Sequence, residues 1–270
     1  MSERVLVTGS AGALGTVLRE GLRRPGRELV LLDVAPQPPA GEGERVITAS
    51  VDDLEAMLEA ADGASAIVHL AGFDPGRAWS DYIAINVTGT YNVFEAARRR
   101  GAGRVFFASS NHAVGFVQRP ESGTIAAGHP PRPDSYYGVG KVASEALGSL
   151  YHDRHGLDVV CARIGSCRPL PDDARCLWSW LSYPDLVHLV EASLAVPAPG
   201  FRIVWGVSAN TRGWWSLAEG RAIGFEPLDD AEDYAEQILA AAAGSEPATG
   251  PERVGGPFTA PGFDAPGRSD

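Results

Sequence analysis

A tyrosine and a lysine four residues apart, Tyr137 and Lys141, are the pair of side chains best suited to proton transfer. They fall in a predicted helix, Ser135 to His155, where a spacing of four places side chains about 40° apart, whereas Tyr136 would lie about 140° from the lysine. Lys141 is the only lysine among 23 Lys and Arg residues, which indicates a need for a compact ammonium. An ammonium beside a phenol favours the phenolate, so the spacing predicts a general base whose pKa lies below the usual ~10.

Polar side chains follow a predicted strand, Arg104 to Ala108, as the string Ser109-Ser110-Asn111-His112. Ligands of open parallel sheets bind at the carboxyl ends of the strands, so these residues are candidate substrate contacts. Ser110 can hydrogen-bond a substrate oxygen. The sequence contains no nucleophile elbow of the kind that would indicate a hydrolase. A lone histidine is more often structural, but its position after two serines and an asparagine favours a binding role for His112.

A glycine-rich turn at the start of the chain indicates a bound dinucleotide. Thr8 to Gly15 reads TGSAGALG between a predicted strand and a predicted helix, so backbone N–H groups can reach a pyrophosphate at the helix amino end. The next predicted strand ends in Asp33, 18 residues after Gly15, where the ribose diol is expected. Because an acid repels a 2′-phosphate, the pattern predicts NAD rather than NADP.

Composition excludes several other classes of function. The 270 residues are 44% hydrophobic and carry a formal charge of -11, which disfavours nucleic acid or an anionic membrane as partner. No apolar stretch approaches the ~20 residues of a membrane span, and the first residues enter a strand directly. The three cysteines, Cys161, Cys167 and Cys176, have no metal-binding or redox spacing, so we expect no metal site and a reducing cytoplasm.

Short apolar runs alternate with helical patterns, which predicts an α/β fold, a Rossmann-type doubly wound parallel sheet. Seven strands are predicted: Arg4 to Thr8, Glu28 to Asp33, Arg45 to Thr48, Ala64 to Leu70, Arg104 to Ala108, Leu157 to Arg163 and Arg202 to Gly206. Five helices are predicted: Ala13 to Arg24, Asp52 to Ala60, Ser80 to Arg100, Ser135 to His155 and Pro184 to Val196.

We expect a single domain, with residues 1–165 mainly forming the cofactor-binding sheet. Residues 166–245 would supply most of a small substrate-binding cap and the last strand, and the Gly- and Pro-rich residues 246–270 an irregular tail. Gly115 to Pro133 is predicted to be a long loop that borders the site. Core packing is the favoured interpretation of five tryptophans in the later part of the chain: Trp178, Trp180, Trp205, Trp214 and Trp215.

Together these features resemble the extended short-chain dehydrogenase/reductase superfamily, through the early glycine pattern, Ser110, Tyr137 with Lys141, and Asn86 on the preceding helix. Within it, the chain most closely resembles the NAD-dependent uronate dehydrogenases of bacteria. That resemblance rests on longer strings: Phe107 to His112, Tyr137 to Val139, Arg163 to Cys167, Arg175 to Leu177 with Trp180, Val204 to Gly206, Ser208 to Asn210 and Gly213 to Trp215. It implies oxidation of a hexuronic acid, galacturonate or glucuronate, at the anomeric carbon to an aldarolactone, with hydride transfer to NAD.

The resemblance also assigns roles to single residues. Tyr137 would be the general base, Lys141 would tune it and hold the nicotinamide ribose, and Ser110 would steady the anomeric hydroxyl. Substrate contacts would be Asp74, Ser110, Asn111, His112, Ser166 and Arg175, and a planar guanidinium suits the carboxylate that distinguishes a uronate from an aldose. Cofactor contacts would be Gly9, Ala11, Gly12, Ala13, Leu14, Gly15, Asp33, Ser50, Val51, Leu70, Ala71, Gly72, Asn86, Tyr137, Lys141 and Ile164.

Two positions depart from the family pattern. Asp74 stands where a small hydroxyl residue is expected near the sugar; it can hydrogen-bond sugar hydroxyls but repels a nearby carboxylate. Ser50 and Val51 stand where an Asp followed by an apolar residue usually meets the adenine, which weakens cofactor binding unless Asp52 compensates.

Three alternatives stay open at the level of sequence. A nucleotide-sugar epimerase or dehydratase of the same superfamily would need a larger carboxyl-terminal lobe. A non-catalytic NAD-binding regulatory module would commonly lose Tyr137 or Lys141, and an aldose dehydrogenase is compatible with Asp74. The resemblance further implies a homo-oligomer formed through the helices Ser80 to Arg100 and Ser135 to His155.

Overall fold

A parallel sheet of seven strands forms the centre of the computed structural model, which describes residues 3–241 and 252–263. The strand order is β3-β2-β1-β4-β5-β6-β9, so the direction of winding reverses between β1 and β4. The strands are β1 Glu3–Thr8, β2 Arg27–Asp33, β3 Glu44–Thr48, β4 Ala66–His69, β5 Arg104–Ser110, β6 Asp158–Ile164 and β9 Phe201–Gly206. The predicted doubly wound sheet is confirmed.

Both faces of the sheet are covered, which explains why the strands read as apolar runs rather than as alternating patterns. One core cluster packs Leu6, Ile67 and Phe107 against the helices on one face. The other packs Val7, Val68 and Phe106 on the opposite face, so successive residues of each strand serve opposite layers.

Helices connect the strands. Several of these helices begin at a residue whose side chain accepts a hydrogen bond from a backbone N–H of the first turn. Four of the five predicted helices are present with ends shifted by a few residues. Ser135, for example, caps α5 by accepting a hydrogen bond from Gly138 N–H. The helices are α1 Ala13–Gly21, α2 Leu54–Ala60, α3 Trp79–Asp81, α4 Thr90–Arg100, α5 Tyr136–His155, α6 Cys176–Ser179, α7 Tyr183–Ala195, α8 Ala218–Arg221 and α9 Ala235–Ala241.

The prediction of one continuous α-helix from Ser80 to Arg100 is wrong in its middle, where Tyr82–Gly89 forms a π-helical stretch between α3 and α4. The carbonyl oxygen of Asn86 accepts hydrogen bonds from the hydroxyls of Thr90 and Ser144, at 2.6 and 3.0 Å. These hydroxyls occupy the acceptor that α-helical pairing would use, and the wider turn leaves Asn86 at the functional edge of the sheet.

The cap region is built around the aromatic cluster. All five tryptophans are buried in a third core cluster beside the sheet, so the core-packing interpretation is confirmed. A pair of two-residue strands, β7 Ser166–Cys167 and β8 Trp180–Leu181, joins this region to the end of β6.

The Gly- and Pro-rich end of the chain folds back onto the sheet edge. Residues 252–263 contain a 3-10 turn, Gly256–Thr259, and Val254 is 1% exposed. Asn111 Nδ2 donates to Val254 O at 3.1 Å, and Gly255 N–H donates to Gly115 O at 2.9 Å. The rest of the predicted tail lies outside the described residues. Within the described part of the chain, no helix is long and apolar enough to cross a bilayer.

Candidate active site

A cavity of about 690 Å³ opens at the carboxyl ends of the strands, around the point where the winding reverses. Its walls come from the turns that follow β1, β2, β3, β4, β5 and β6. The predicted site residues that line it are Gly9, Gly12, Ala13, Leu14, Gly15, Asp33, Ser50, Val51, Leu70, Ala71, Gly72, Asp74, Ser110, Tyr137, Lys141 and Ile164. Ala11, Asn86, Asn111, His112, Ser166 and Arg175 are not among the lining residues.

The glycine turn leaves no room for side chains. Gly9 has φ +73°, and a Cβ there would lie 2.6 Å from Ala71 N; a Cβ on Gly15 would lie 2.2 Å from Gly9 O. Ala11 N–H donates to Asp33 Oδ2 at 2.9 Å, so the acid that faces the cavity also holds the turn. This bare backbone at the start of α1, with a carboxylate at one end of the cavity, fits the pyrophosphate and ribose of a dinucleotide.

The adenine end of the predicted cofactor site is formed by Ser50 and Val51, which line the cavity. Val51 O accepts a hydrogen bond from Asn92 Nδ2 at 3.0 Å, which fixes this turn against α4. Asp52 is exposed and does not line the cavity, so the structure does not support a compensating role for it.

Asn86 acts on the loop that bears Asp74. Its Oδ1 accepts from Phe73 N–H at 2.8 Å and its Nδ2 donates to Phe73 O at 3.1 Å. Tyr82 adds a second support by donating its hydroxyl to Asp74 O at 3.1 Å. Asn86 therefore shapes the cavity through the backbone of this loop rather than as one of its lining residues.

Lys141 is buried beside the catalytic candidate Tyr137. Its Nζ donates to Ala108 O at 2.7 Å and lies 5.4 Å from the centre of the Tyr137 ring. Burial lowers the pKa of Lys141 to about 8, although the charges of Asp74 and Glu145 act in the opposite direction. The ammonium is thus held in the cavity wall at a cost in solvation.

The predicted lowering of the Tyr137 pKa is wrong for the protein without cofactor. Burial raises the pKa of Tyr137 above its usual value, and the negative charge of Asp74 raises it further, while the hydroxyl of Ser110 acts in the opposite direction. The sequence argument counted the nearby ammonium but not the loss of hydration, and desolvation is the larger effect here.

Ser110 ends β5 and caps the 3-10 turn Asn111–Val114. Its Oγ accepts from His112 N–H at 3.2 Å and donates to Asn111 Oδ1 at 3.3 Å. This turn places the three predicted substrate residues side by side at the floor of the site, although only Ser110 reaches the large cavity.

His112 is held by two residues that the sequence analysis missed. Its Nδ1 lies 2.8 Å from Asp134 Oδ2, and its ring lies against Phe258 with centroids 4.1 Å apart. The Tyr137 ring is edge-on to it at 5.9 Å. The sequence contained a clue to Asp134, because this acid directly precedes the serine that caps the amino end of α5. It contained no clue to Phe258, which lies in a Gly- and Pro-rich segment.

Arg175 lies at the start of α6 and is a half-buried cation whose Nε is a buried, unused donor. Among the described residues, its Nε and the Trp214 Nε1 are the buried side-chain nitrogens that lack a hydrogen-bond partner. Burial lowers the pKa of Arg175 from its usual value, and the Phe258 ring lies 5.9 Å from its guanidinium carbon. An unpaired buried donor on a cation is costly, so this position favours an anionic ligand.

Ser166 faces the same region from β7, but its hydroxyl is paired with Ser179 Oγ at 2.9 Å. Ser179 Oγ also lies 3.1 Å from Arg175 O, so the hydroxyl pair supports the turn that carries the arginine. The structure therefore links Ser166 to Arg175 through α6.

One group of side chains in the described part of the chain could approach a metal ion: Asp172, Asp173 and Cys176. Arg168 already forms ion pairs with both acids, and burial raises the pKa of Cys176 to about 11. A cysteine binds a metal ion as its thiolate, so the raised pKa of Cys176 and the ion-paired acids disfavour a metal site at this group.

The known proteins that this chain resembles agree with the dinucleotide-binding geometry of the cavity. Residues 5–167 match the model of the NAD dependent epimerase/dehydratase family. The chain belongs to this family. Uronate dehydrogenase of Pseudomonas putida is 41% identical to it over 262 residues, which cover 94% of this chain and 97% of that protein.

Two solved structures are similar to this chain over nearly its whole length. Uronate dehydrogenase from Agrobacterium tumefaciens is 38% identical with a TM-score of 0.89, covering 96% of this chain and 97% of that one. Glucuronic acid dehydrogenase from Chromohalobacter salexigens is 36% identical with a TM-score of 0.90, and the match covers 98% of this chain and 99% of that one. The resemblance inferred from the motifs is confirmed.

Proposed function

We propose that this family member oxidises a hexuronic acid at the anomeric carbon to an aldarolactone, with NAD as the hydride acceptor. The observation that carries the proposal is the half-buried Arg175. Its buried Nε has no partner among the described residues, and it shares its neighbour Phe258 with His112. A uronate brings a carboxylate to pair with this cation, whereas a neutral aldose does not.

Cofactor binding rests on the bare turn Gly9–Gly15 and on Asp33. Backbone N–H groups at the start of α1 would bind the pyrophosphate, and the Asp33 carboxylate would accept hydrogen bonds from the ribose diol. When bound, NAD supplies the hydride acceptor and a positive charge close to Tyr137 and Lys141.

The protein contributes the proton transfer. The Tyr137 phenolate would take the proton of the anomeric hydroxyl, while the hydrogen at that carbon leaves as hydride and the carbon–oxygen bond becomes the lactone carbonyl. Ser110 would hold the same hydroxyl, and the Lys141 ammonium would stabilise the phenolate. Because burial alone raises the Tyr137 pKa, the base depends on positive charge placed beside it.

Relatives with printed functions support the same substrate class. The proteins from Pseudomonas putida and Agrobacterium tumefaciens are uronate dehydrogenases, and the one from Chromohalobacter salexigens is a glucuronic acid dehydrogenase. The strings that carry Arg175 and the tryptophan cluster lie within the shared regions, so the substrate side of the site is covered by the similarity as well as the sheet.

Self-association and a cytoplasmic location are the remaining parts of the proposal. Large apolar side chains are exposed on α3 to α5, among them Trp79, Ile83, Tyr91, Tyr136, Val139 and Leu150. A second copy of the chain would cover this face, which supports a homo-oligomer. The three cysteines are free thiols, which supports a reducing compartment.

A substrate panel tests the proposed function. Galacturonate, glucuronate, galactose and glucose are each offered with NAD and with NADP while the absorbance of the reduced cofactor is followed. We expect turnover of the uronates with NAD. Preference for an aldose, or for NADP, would contradict the proposal.

A further inference from the structure

Asp134 is a buried acid with no role in the proton transfer described above. Its side chain is 0% exposed, and Oδ2 lies 2.8 Å from His112 Nδ1. Its Oδ1 accepts from Ser135 Oγ at 2.9 Å, and its own N–H donates to His112 O at 3.4 Å. Both the ring and the backbone of His112 are therefore tied to this one residue.

The carboxylate occupies a space that two glycines leave open. A Cβ added to Gly115 or to Gly255 would lie 1.8 Å from Asp134 Oδ2. Gly115 follows the turn that bears His112, and Gly255 belongs to the segment that brings Phe258 over the imidazole. With backbone on both sides, the carboxylate has little freedom to turn away from His112.

This arrangement selects one form of the imidazole. A carboxylate oxygen accepts hydrogen bonds, so Nδ1 of His112 has to carry the hydrogen. In the neutral ring, Nε2 is then the unprotonated nitrogen and can accept a hydrogen bond from a ligand. The ring lies beside Tyr137, and the charge of Asp134 also acts on Tyr137 and Arg175, so all four residues share one site.

We propose that Asp134 is a positioning residue that holds His112 as its Nδ1–H tautomer and so presents Nε2 to accept a hydrogen bond from a hydroxyl of the sugar. The inference rests on the proposed function, because the hydroxyl belongs to the uronate whose carboxylate pairs with Arg175. It assigns His112 to recognition of a neutral hydroxyl and leaves the carboxylate to the arginine.

The tautomer is measured directly by ¹⁵N NMR of the wild-type protein labelled at histidine, with the His112→Ala variant used to assign the signal. We expect His112 to carry its hydrogen on Nδ1, and Asp134→Asn to shift it toward Nε2 because an amide can donate to Nδ1. A wild-type His112 with its hydrogen on Nε2 would overturn the proposal without any variant.

A double-mutant cycle tests whether Asp134 acts through His112. Asp134→Asn is expected to lower kcat/KM for the uronate by roughly tenfold or more, since wrong tautomers are costly in comparable hydrogen-bonded pairs, and to leave the KM for NAD unchanged. In the His112→Ala background the same change should cost less than about twofold. An equal loss in both backgrounds would show that Asp134 acts independently of the histidine and would overturn the proposal.

Asp185 provides the matched control for a buried structural acid. It is 0% exposed in α7 and accepts hydrogen bonds from Ser208 Oγ and Leu228 N–H. We expect Asp185→Asn to lower the thermal unfolding midpoint without changing the His112 tautomer. If it shifts the tautomer as Asp134→Asn does, the proposed role of Asp134 is wrong.

Gly255→Ala approaches the same carboxylate from the other chain segment. The added Cβ would displace Asp134, so we expect the tautomer shift and the loss in kcat/KM of Asp134→Asn. Gly103→Ala is the control, because a Cβ there meets no atom within 4 Å. An unchanged tautomer in Gly255→Ala would contradict the proposal. Wild-type protein that oxidises no uronate would instead contradict the proposed function, whatever the tautomer.

Discussion

The ring of Phe258 lies against the ring of His112, with centroids 4.1 Å apart. The same phenyl ring is 5.9 Å from the guanidinium carbon of Arg175. A residue from the Gly- and Pro-rich end of the chain thus covers two candidate substrate contacts, one in the 3-10 turn after β5 and one at the start of α6. In the proposed function, this segment would complete the wall of the site on the side of the sugar.

Phe258→Ala is therefore expected to weaken substrate binding. Removing the ring admits water to Arg175 and loosens His112, so we predict a rise in the KM for the uronate of about 3- to 30-fold with little change in the KM for NAD. Phe258→Leu keeps an apolar cover and should lose less. Steady-state kinetics decide this, and an equal rise in both Michaelis constants would mean that the ring supports the fold rather than the sugar site.

Tyr137→Phe should abolish most of the activity. The change removes the hydroxyl that accepts the proton, so we predict a fall in kcat of at least ~100-fold, with NAD affinity nearly intact by calorimetry. Tyr136→Phe is the matched control, since Tyr136 is 44% exposed and helix geometry places it about 140° from Lys141. Activity of Tyr137→Phe within tenfold of wild type would contradict its assignment as the base.

Burial of the charged Lys141 should lower the free energy of unfolding, by an amount that depends on pH. Its pKa is about 8 in the folded protein and 10.5 when unperturbed, so below pH 8 the folded state holds a buried ammonium at full cost. As pH rises from 8 to 10.5 the folded protein releases this proton before the unfolded chain does, and the cost disappears. Wild type should therefore gain stability relative to Lys141→Met over this range, by about 3 kcal/mol.

Urea unfolding of both proteins without cofactor, at pH 7, 8, 9 and 10, measures this difference. The variant should also bind NAD more weakly, because the ammonium that would hold the nicotinamide ribose is gone. A stability difference that stays constant from pH 7 to 10 would contradict the buried charge.

Asp33 should determine the choice between cofactors. Asp33→Ala removes the acceptor for the ribose diol and the partner of Ala11 N–H, so we predict about a tenfold rise in the KM for NAD and a narrower gap to NADP. Asp62→Ala removes an exposed acid away from the cavity and serves as control. If the ratio of kcat/KM with NAD to kcat/KM with NADP stays unchanged, residues other than Asp33 determine the choice of cofactor.

Local sequence predicts the sheet well, and the predicted residues of the glycine turn, together with Tyr137 and Lys141, line the cavity apart from Ala11. The strands are buried on both faces, so each leaves an apolar run, and the glycine turn and Tyr137–Lys141 spacing are fixed within a few neighbouring residues. The π-helical stretch was not predicted; one of its contacts, from the hydroxyl of Ser144 to Asn86 O, comes from another helix and leaves no local pattern in the sequence.

The substrate side could not be predicted to the same depth. Asp134 and Phe258 meet His112 only after the chain has folded, and neither belongs to a motif with fixed spacing. The pKa of Tyr137 was predicted in the wrong direction for the same reason, because burial is a property of the whole fold. The division of the chain into a cofactor part and a substrate part stays a prediction.

The most direct test of the account is the selectivity of an Arg175 variant. If Arg175 pairs with the substrate carboxylate in a partly desolvated site, Arg175→Ala should lose roughly 2 to 4 kcal/mol of transition-state binding, about 30- to 1000-fold in kcat/KM, on galacturonate. The loss on galactose should be small, and Arg175→Lys should recover only part of the activity because an ammonium lacks the planar fork. Arg168→Ala is the control, at a neighbouring arginine whose side chain is 41% exposed and pairs with Asp172. An equal loss on both sugars, or a wild type that prefers galactose, would contradict the assignment of a uronate substrate.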